Sequence, residues 1–377
     1  MDRASNTICL DVRTPSASYE VVVGAGLIED AGKKLRSLFP AETRLHLVSD
    51  TNVWPLYGEK LLSSLGTAGF AAMSYTVIPA GEHSKSVSCL SHLWDECARH
   101  GLTRHDCIIA LGGGVVCDLA GFAAATYLRG CHVVHIPTTL LAMVDASVGG
   151  KCAIDLPAGK NLAGAFFQPD SVLIDVATLK TLPSKEFQSG CAEIIKHTVL
   201  ADAALFSLLE TGPADKTSLL APDAQTLVKL IAANIRIKRA FVAADETDAG
   251  RRHMLNLGHT IGHAIEAASD CTLSHGACVA AGLCCLMRGA SDPHVHLASA
   301  QDAKRIEALV SRFGLPVDTT FTRETLMDYV WRDKKRRGSS INVVIPTKIG
   351  SADIVSLSQD EMRTIIEYGC GTGGTAC

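Results

Sequence analysis

His259 and His263, in Gly258-His259-Thr260-Ile261-Gly262-His263, are four residues apart and share one side of any helix formed there. His275 opens the next apolar stretch, and Glu193 lies earlier on a helix-period stretch that also carries Lys196 and His197. Two or three imidazoles with one carboxylate, leaving a coordination position open, are the donors of a catalytic zinc site. The chain has 14 histidines, so His-x-x-x-His also arises by chance, and the metal reading needs other groups to converge. Cations supply them. Lys151 stands between Gly150 and Cys152 in a nearly uncharged stretch, where a buried lysine needs an anion or carboxylate partner. Arg129, Lys160 beside Asn161, Lys238, Arg252 with Asn256, and Asp333-Lys334-Lys335-Arg336-Arg337 add to the set. Lysines and arginines around a metal select a small polyanion carrying phosphate, carboxylate or both.

A second chemistry lies at Gly112-Gly113-Gly114, between the apolar run Cys107–Leu111 and a helix through Asp118. Glycines there let backbone N–H groups and a helix N-terminus approach a phosphate. The competing reading is a tight turn that needs positive φ. The run is not Gly-x-Gly-x-x-Gly, because position 117 is Cys, so a dinucleotide would sit in a variant of the usual turn.

These groups need a frame. Apolar β-type runs occur at Tyr19–Val23, Leu45–Ser49, Ser74–Ile78, Cys107–Leu111, Val133–Ile136 and Val172–Asp175. Helix-period stretches such as Ile28–Leu38, Gly58–Leu65 and Val87–His100 lie between several of them. That alternation predicts a mostly parallel sheet covered on both faces. Beyond Pro183 the pattern turns helical (Lys185–Leu200, Ala224–Val242, Met254–Ala268, Gly276–Met287, Asp302–Phe313), with a late hairpin at Ile341–Ile345 and Ala352–Val355. The expected division is an α/β domain over 1–184 and a mainly helical domain over 185–377, with a frayed end from Gly369.

Composition narrows the class. The 377 residues are 47% hydrophobic and 20% charged, with a net charge of −4, which argues against disorder and against a basic field for nucleic acid or membrane. No apolar run reaches the roughly 18 residues of a membrane span, and Met1-Asp2-Arg3 does not begin a signal peptide. The 14 scattered cysteines read as reduced thiols of a cytoplasmic protein.

Taken in order, the motifs resemble the 3-dehydroquinate synthase family of sugar phosphate cyclases. The segments that carry the resemblance are Gly112-Gly113-Gly114 with Asp118 and Arg129, Pro137-Thr138-Thr139, Asp145-Ala146-Ser147-Val148-Gly149-Gly150-Lys151, Gly159-Lys160-Asn161, Ala192-Glu193-Ile194-Ile195-Lys196, Leu255-Asn256-Leu257-Gly258-His259 with His263, Ser274-His275-Gly276, and Asp333-Lys334-Lys335. The resemblance implies an N-terminal nucleotide-binding α/β domain and a helical C-terminal domain with the active site in the cleft between them, usually in a homodimer. It implies conversion of 3-deoxy-D-arabino-heptulosonate 7-phosphate to 3-dehydroquinate and phosphate in the shikimate pathway, with NAD and zinc or cobalt. The implied steps are transient oxidation, β-elimination of phosphate, reduction and an intramolecular aldol closure.

Carried onto this chain, the metal falls to Glu193, His259 and His275. NAD falls to Gly113, Gly114, Val115 and Asp118, with Thr138, Thr139, Lys160 and Thr178 nearby, and Asp50, Asn52, Glu82 and Lys85 at its adenosine or ribose. Substrate contacts fall to Asp145, Lys151, Asn161, Lys196, Lys238, Arg252, Asn256 and His263. Lys334 and Lys335 share the phosphate in this reading, and Arg129 crosses from a partner subunit.

Cys117, Cys152 and Asp155 depart from the residues relatives more often carry, without removing a charge from the site. They leave open cyclases acting on sedoheptulose 7-phosphate, which handle no carboxylate; Lys238, Arg252 and the 333–335 stretch favour the carboxylate substrate. A metal-dependent dehydrogenase of glycerol dehydrogenase type would not need so many lysines. An NAD-binding regulatory protein with a dead site would not need intact metal ligands.

Overall fold

Strands buried on both faces carry unbroken aliphatic runs, and the computed structural model places such runs at the centre of a seven-stranded sheet. The structure describes residues 7–220, 224–270, 272–332, 336–337 and 340–371. It divides into two units, one of Met1–Leu182 with Leu220–Thr247, the other of Pro183–Leu219 with Asp248–Cys377. The first unit thus takes in a later stretch that a single cut at 184 does not express.

In that unit the order is β1 (Ile8–Arg13), β2 (Ser18–Gly24), α1 (Leu27–Arg36), β3 (Leu45–Asp50), α2 (Trp54–Thr67), β4 (Met73–Ile78), α3 (Val87–Arg99), β5 (Cys107–Gly112), α4 (Gly114–Thr126), β6 (His132–Pro137), the hairpin β7 (Lys151–Leu156) and β8 (Gly159–Phe166), and β9 (Ser171–Asp175). The sheet runs β1-β2-β9-β6-β5-β3-β4, with only β1 antiparallel to its neighbour. Period-two alternation splits each strand between two cores. Leu45, Leu47, Ile109 and Leu111 pack with Leu27, Leu35, Leu61 and Leu65 of α1 and α2. Val48, Ile108 and Ala110 pack with Leu90, Leu93, Val116 and Leu119 of α3 and α4 on the other face. The edge strand β1 and the hairpin β7–β8 have no counterpart among the strands expected from sequence, because their burial is partial.

The chain then forms α5 (Ser184–Ala201), α6 (Ala203–Thr211), α7 (Lys216–Leu220) and α8 (Ala224–Ala244). Of these, α8 packs on β1, β2 and the π-helical turn Ala142–Ala146, which is why it belongs to the first unit. The second unit continues with α9 (His259–Ala268), α10 (His275–Ala290), α11 (Ala300–Arg312), α12 (Arg323–Arg332), the strands β10 (Arg336–Arg337), β11 (Ser340–Lys348) and β12 (Ser351–Ser358), and α13 (Gln359–Gly369). The expected helix from Met254 is two pieces. A 3-10 turn covers Arg251–Asn256, then Gly258 at φ 75° turns the chain so that His259 is the first residue of α9. No helix among the described residues is long and apolar enough to cross a membrane.

Candidate active site

In the α/β unit, parallel neighbours place the carboxyl ends of β3, β5, β6 and β9 along one edge, and with them Asp50, Gly112–Gly114, Thr138–Thr139 and Thr178. Strand order reverses between β3 and β5: β4 lies beyond β3, while β6 lies beyond β5. The helices after the two strands cover opposite faces, which opens the crevice where doubly wound folds bind nucleotides. None of the three glycines takes a left-handed φ; Gly113 is extended at φ −77° and caps α4. Gly112 is required by space instead, since a Cβ there would lie 2.5 Å from Val116 Cγ2. Thr139 sits against Gly113, and the buried Thr138 hydroxyl has no hydrogen-bond partner among the described residues. Asp50 accepts the backbone N–H groups of Asn52 and Val53 at 2.8 and 3.0 Å, shaping the start of α2, and the Thr178 hydroxyl donates to Asp175 O at 2.8 Å. Val115 is half-buried in the first turn of α4.

Lys85 is buried and lies 2.8 Å from Asp118 Oδ2 and 3.6 Å from Glu82. It also donates to Asn161 Oδ1. Burial disfavours its charge, but Asp118 and Glu82 outweigh that and raise its pKa. Asn161 has φ 51°, and its N–H donates to Asp155 Oδ1 at 2.8 Å. Asn161, expected beside a substrate phosphate, is therefore grouped with Lys85 and Asp118. Lys160, 3.8 Å from Glu82, joins the same group. Lys151 begins β7 and is exposed, which corrects the buried lysine expected from its uncharged flanks: β7 is a hairpin strand with one open face. Lys238 of α8 is buried and reaches Asp145 Oδ1 at 2.6 Å. Arg129 is exposed in a left-handed pair with Leu128, at φ 67° and 50°.

In the helical unit, three helices bring Glu193, His259 and His275 together. Glu193 sits on α5 with no exposed surface, beside the equally buried Lys196, whose ammonium it pairs with. The first turn of α10 lies directly on α5 because residue 276 is glycine; a Cβ there would fall 2.1 Å from Ser189 O. His259 Nε2 and His275 Nε2 lie 3.6 and 3.7 Å from the same oxygen, Glu193 Oε1. His259 Nδ1 donates to Leu257 O at 3.0 Å and His275 Nδ1 to Glu266 Oε2 at 3.1 Å, so in the neutral rings that a metal requires the lone pair of each lies on Nε2, the atom facing Glu193. Tetrahedral metal–ligand bonds of about 2.1 Å separate ligands by roughly 3.4 Å. The spacing therefore fits one zinc- or cobalt-sized ion, and the donor types suit either metal.

The electrostatics are divided. Burial, reinforced by Lys196, holds the His259 imidazole well below its usual pKa. Burial also opposes charge on His275, but the carboxylates of Glu193 and Glu266, one facing each ring nitrogen, raise it to about 10. Burial alone would raise the Glu193 carboxyl; Lys196 and the two histidines hold it well below the usual range.

His263 is exposed, its ring 5.2 Å from that of His259 and 6.0 Å from that of His275. Arg252 is buried and Asn256 half-buried in the 3-10 turn before α9. Lys334 and Lys335 lie outside the described residues. Glu266 was absent from the candidates read from sequence, although its place seven residues after His259 puts it on the same helix face.

The profile of the N-terminal part of 3-dehydroquinate synthase matches residues 75–189, and that of the C-terminal part matches residues 190–336. A 3-dehydroquinate synthase of Symbiobacterium thermophilum is 43% identical over 357 residues, covering 93% of this chain and 97% of the relative. Among solved structures, a 2-deoxy-scyllo-inosose synthase complexed with carbaglucose-6-phosphate, NAD+ and Co2+ superposes with TM-score 0.84 at 22% identity, over 96% of this chain and 100% of that one. A 2-epi-5-epi-valiolone synthase from Streptomyces hygroscopicus with NAD+ and Zn2+ bound also reaches 0.84, at 28% identity, over 93% and 96%.

Proposed function

The chain belongs to the 3-dehydroquinate synthase family, and on that premise we propose that it converts 3-deoxy-D-arabino-heptulosonate 7-phosphate to 3-dehydroquinate and phosphate. Glu193, His259 and His275 hold zinc or cobalt, and NAD lies on the carboxyl edge of the sheet along Gly113, Gly114, Val115 and Asp118. The observation that carries this reading is the buried Glu193, facing two imidazole Nε2 atoms at 3.6 and 3.7 Å. When bound, NAD supplies a reversible hydride acceptor and the metal supplies Lewis acidity at the substrate hydroxyls.

The chain's own residues hold and orient the substrate. Lys196, paired with Glu193, keeps that carboxylate ionised and offers cationic charge to a substrate oxygen. Arg252 and Lys238 meet the substrate carboxylate; Lys151 and Asn161, with Lys334 and Lys335, meet its phosphate; Asn256 hydrogen-bonds a hydroxyl. Asp145 positions the Lys238 ammonium. His263 holds or moves a proton beside the metal ligands. Thr138, Thr139, Thr178, Lys160, Asp50, Asn52, Glu82 and Lys85 line or brace the NAD edge. The protein works in the cytoplasm as a homodimer, with Arg129 presented to the partner's site.

The test is phosphate release in the presence of NAD and zinc or cobalt. Release from the heptulosonate phosphate supports the reading. Release only from sedoheptulose 7-phosphate overturns it in favour of a carboxylate-free cyclase, and NADH accumulating in step with product points to a dehydrogenase.

A further inference from the structure

His275 belongs to two overlapping donor groups. Its ring stands with Glu193 and His259 on one side and with His263 and Glu266 on the other, and in each group the possible ligand atoms lie within 4.8 Å of one another. A neutral imidazole has one lone pair, so the nitrogen that carries the proton decides which group the ring can serve. Glu266 Oε2 accepts from His275 Nδ1 at 3.1 Å, and an ionised carboxylate only accepts. We propose that Glu266 is the positioning residue that commits His275 Nε2 to the Glu193–His259 side and strengthens its hold on the metal.

The two histidines are unequal in this respect. His259 Nδ1 rests on a neutral backbone carbonyl, Leu257 O at 3.0 Å, whereas His275 rests on a carboxylate that is itself buried. A carboxylate behind an imidazole fixes its tautomer and orientation and raises its basicity as a ligand. The helix supplies the geometry: Glu266 is seven residues after His259 on α9, so the ligand and the brace of the other ligand share one face. His263 lies between them on that face, and without Glu266 the His275 Nδ1 has no carboxylate to keep it protonated.

The inference rests on the metal reading given above. Its test is the affinity of the purified full chain for Zn2+ and Co2+, measured by competition with a chromophoric chelator, together with the visible absorption of the cobalt form. Glu266→Ala is expected to raise the metal dissociation constant about 10- to 100-fold. Glu266→Gln, which keeps an acceptor oxygen but no charge, is expected to fall between that variant and the parent and to shift the cobalt bands. Glu193→Gln, which replaces a carboxylate ligand by a weakly ligating neutral amide, is the reference for weakened binding. If Glu266→Ala binds both ions as the parent does while Glu193→Gln does not, the positioning role is overturned and the metal site stands. If the parent itself fails to bind one equivalent, both fail. Should the Ala variant not fold, Glu266→Gln decides: parental affinity with unchanged cobalt bands overturns the proposal.

Discussion

Lys238 Nζ lies 2.6 Å from Asp145 Oδ1 and also donates to the Asp145 carbonyl, joining α8 to the π-helical turn Ala142–Ala146. The lysine is 93 residues further along the chain and nearly buried, while the aspartate side chain is 28% exposed. Removing one member of a buried pair leaves the other uncompensated, at about 3–5 kcal/mol; the partial exposure of Asp145 places this pair at the low end. Lys238→Met is therefore expected to lower stability by about 3 kcal/mol and to suppress turnover. Urea unfolding, combined with Asp145→Asn in a double-mutant cycle, measures the pair. Additive effects of the two changes would show that they do not interact.

Metal removal gives a second expectation. A chelator should abolish phosphate release reversibly, with activity returning on addition of zinc or cobalt. The metal-loaded protein should also melt at a higher temperature, since an ion that binds only the folded chain stabilises it. Glu193→Gln and His259→Ala should lose both the bound metal and the melting shift. Retention of one equivalent of metal by either variant would remove that residue from the ligand set.

Gly276→Ala probes the contact that seats His275. The new Cβ would fall 2.1 Å from the backbone oxygen of Ser189, and backbone cannot rotate away as a side chain tip can. The first turn of α10 must shift, carrying His275 away from Glu193 on α5. The expected outcome is loss of metal affinity together with a destabilisation of about 1–3 kcal/mol, the usual cost of overpacking. Parental affinity in this variant would mean that the helices adjust without moving the histidine.

Acid should weaken the α/β unit through His46 and His135. Both are fully or almost fully buried in the sheet, and burial lowers each to about 4 from the usual 6.5; for His46 the charges of His100 and His92 add to it. The unfolded chain therefore binds protons that the folded chain refuses. Stability is full above the unfolded pKa and falls as pH drops from about 6.5 toward 4, by up to about 1.4 kcal/mol per pH unit for each histidine. His46 bridges Ser74 and Thr76 at 2.8 and 3.0 Å. Replacing it by Gln should flatten the slope of unfolding free energy against pH by one histidine's share. An unchanged slope would show that His46 does not contribute.

Residue types and their order along the chain carried the resemblance to the family, pointed through it to Glu193, His259 and His275 as candidate metal donors, and marked six strands of the sheet by their mainly apolar β-type runs. The reason is physical: a parallel strand buried on both faces must be apolar throughout, and a metal admits few ligand types. Tertiary structure alone decided the rest. The mixed burial of β1 and the β7–β8 hairpin hid those strands, and the open face of β7 left Lys151 exposed. Asn161 meets Lys85 across 76 residues, and α8 returns to the sheet after three helices of the other unit. Glu266 gains meaning only because His275, on a different helix, turns Nδ1 toward it. Local pattern records which residues prefer burial or charge; which of them meet across a fold depends on packing between distant segments, and that is set only when the chain is folded.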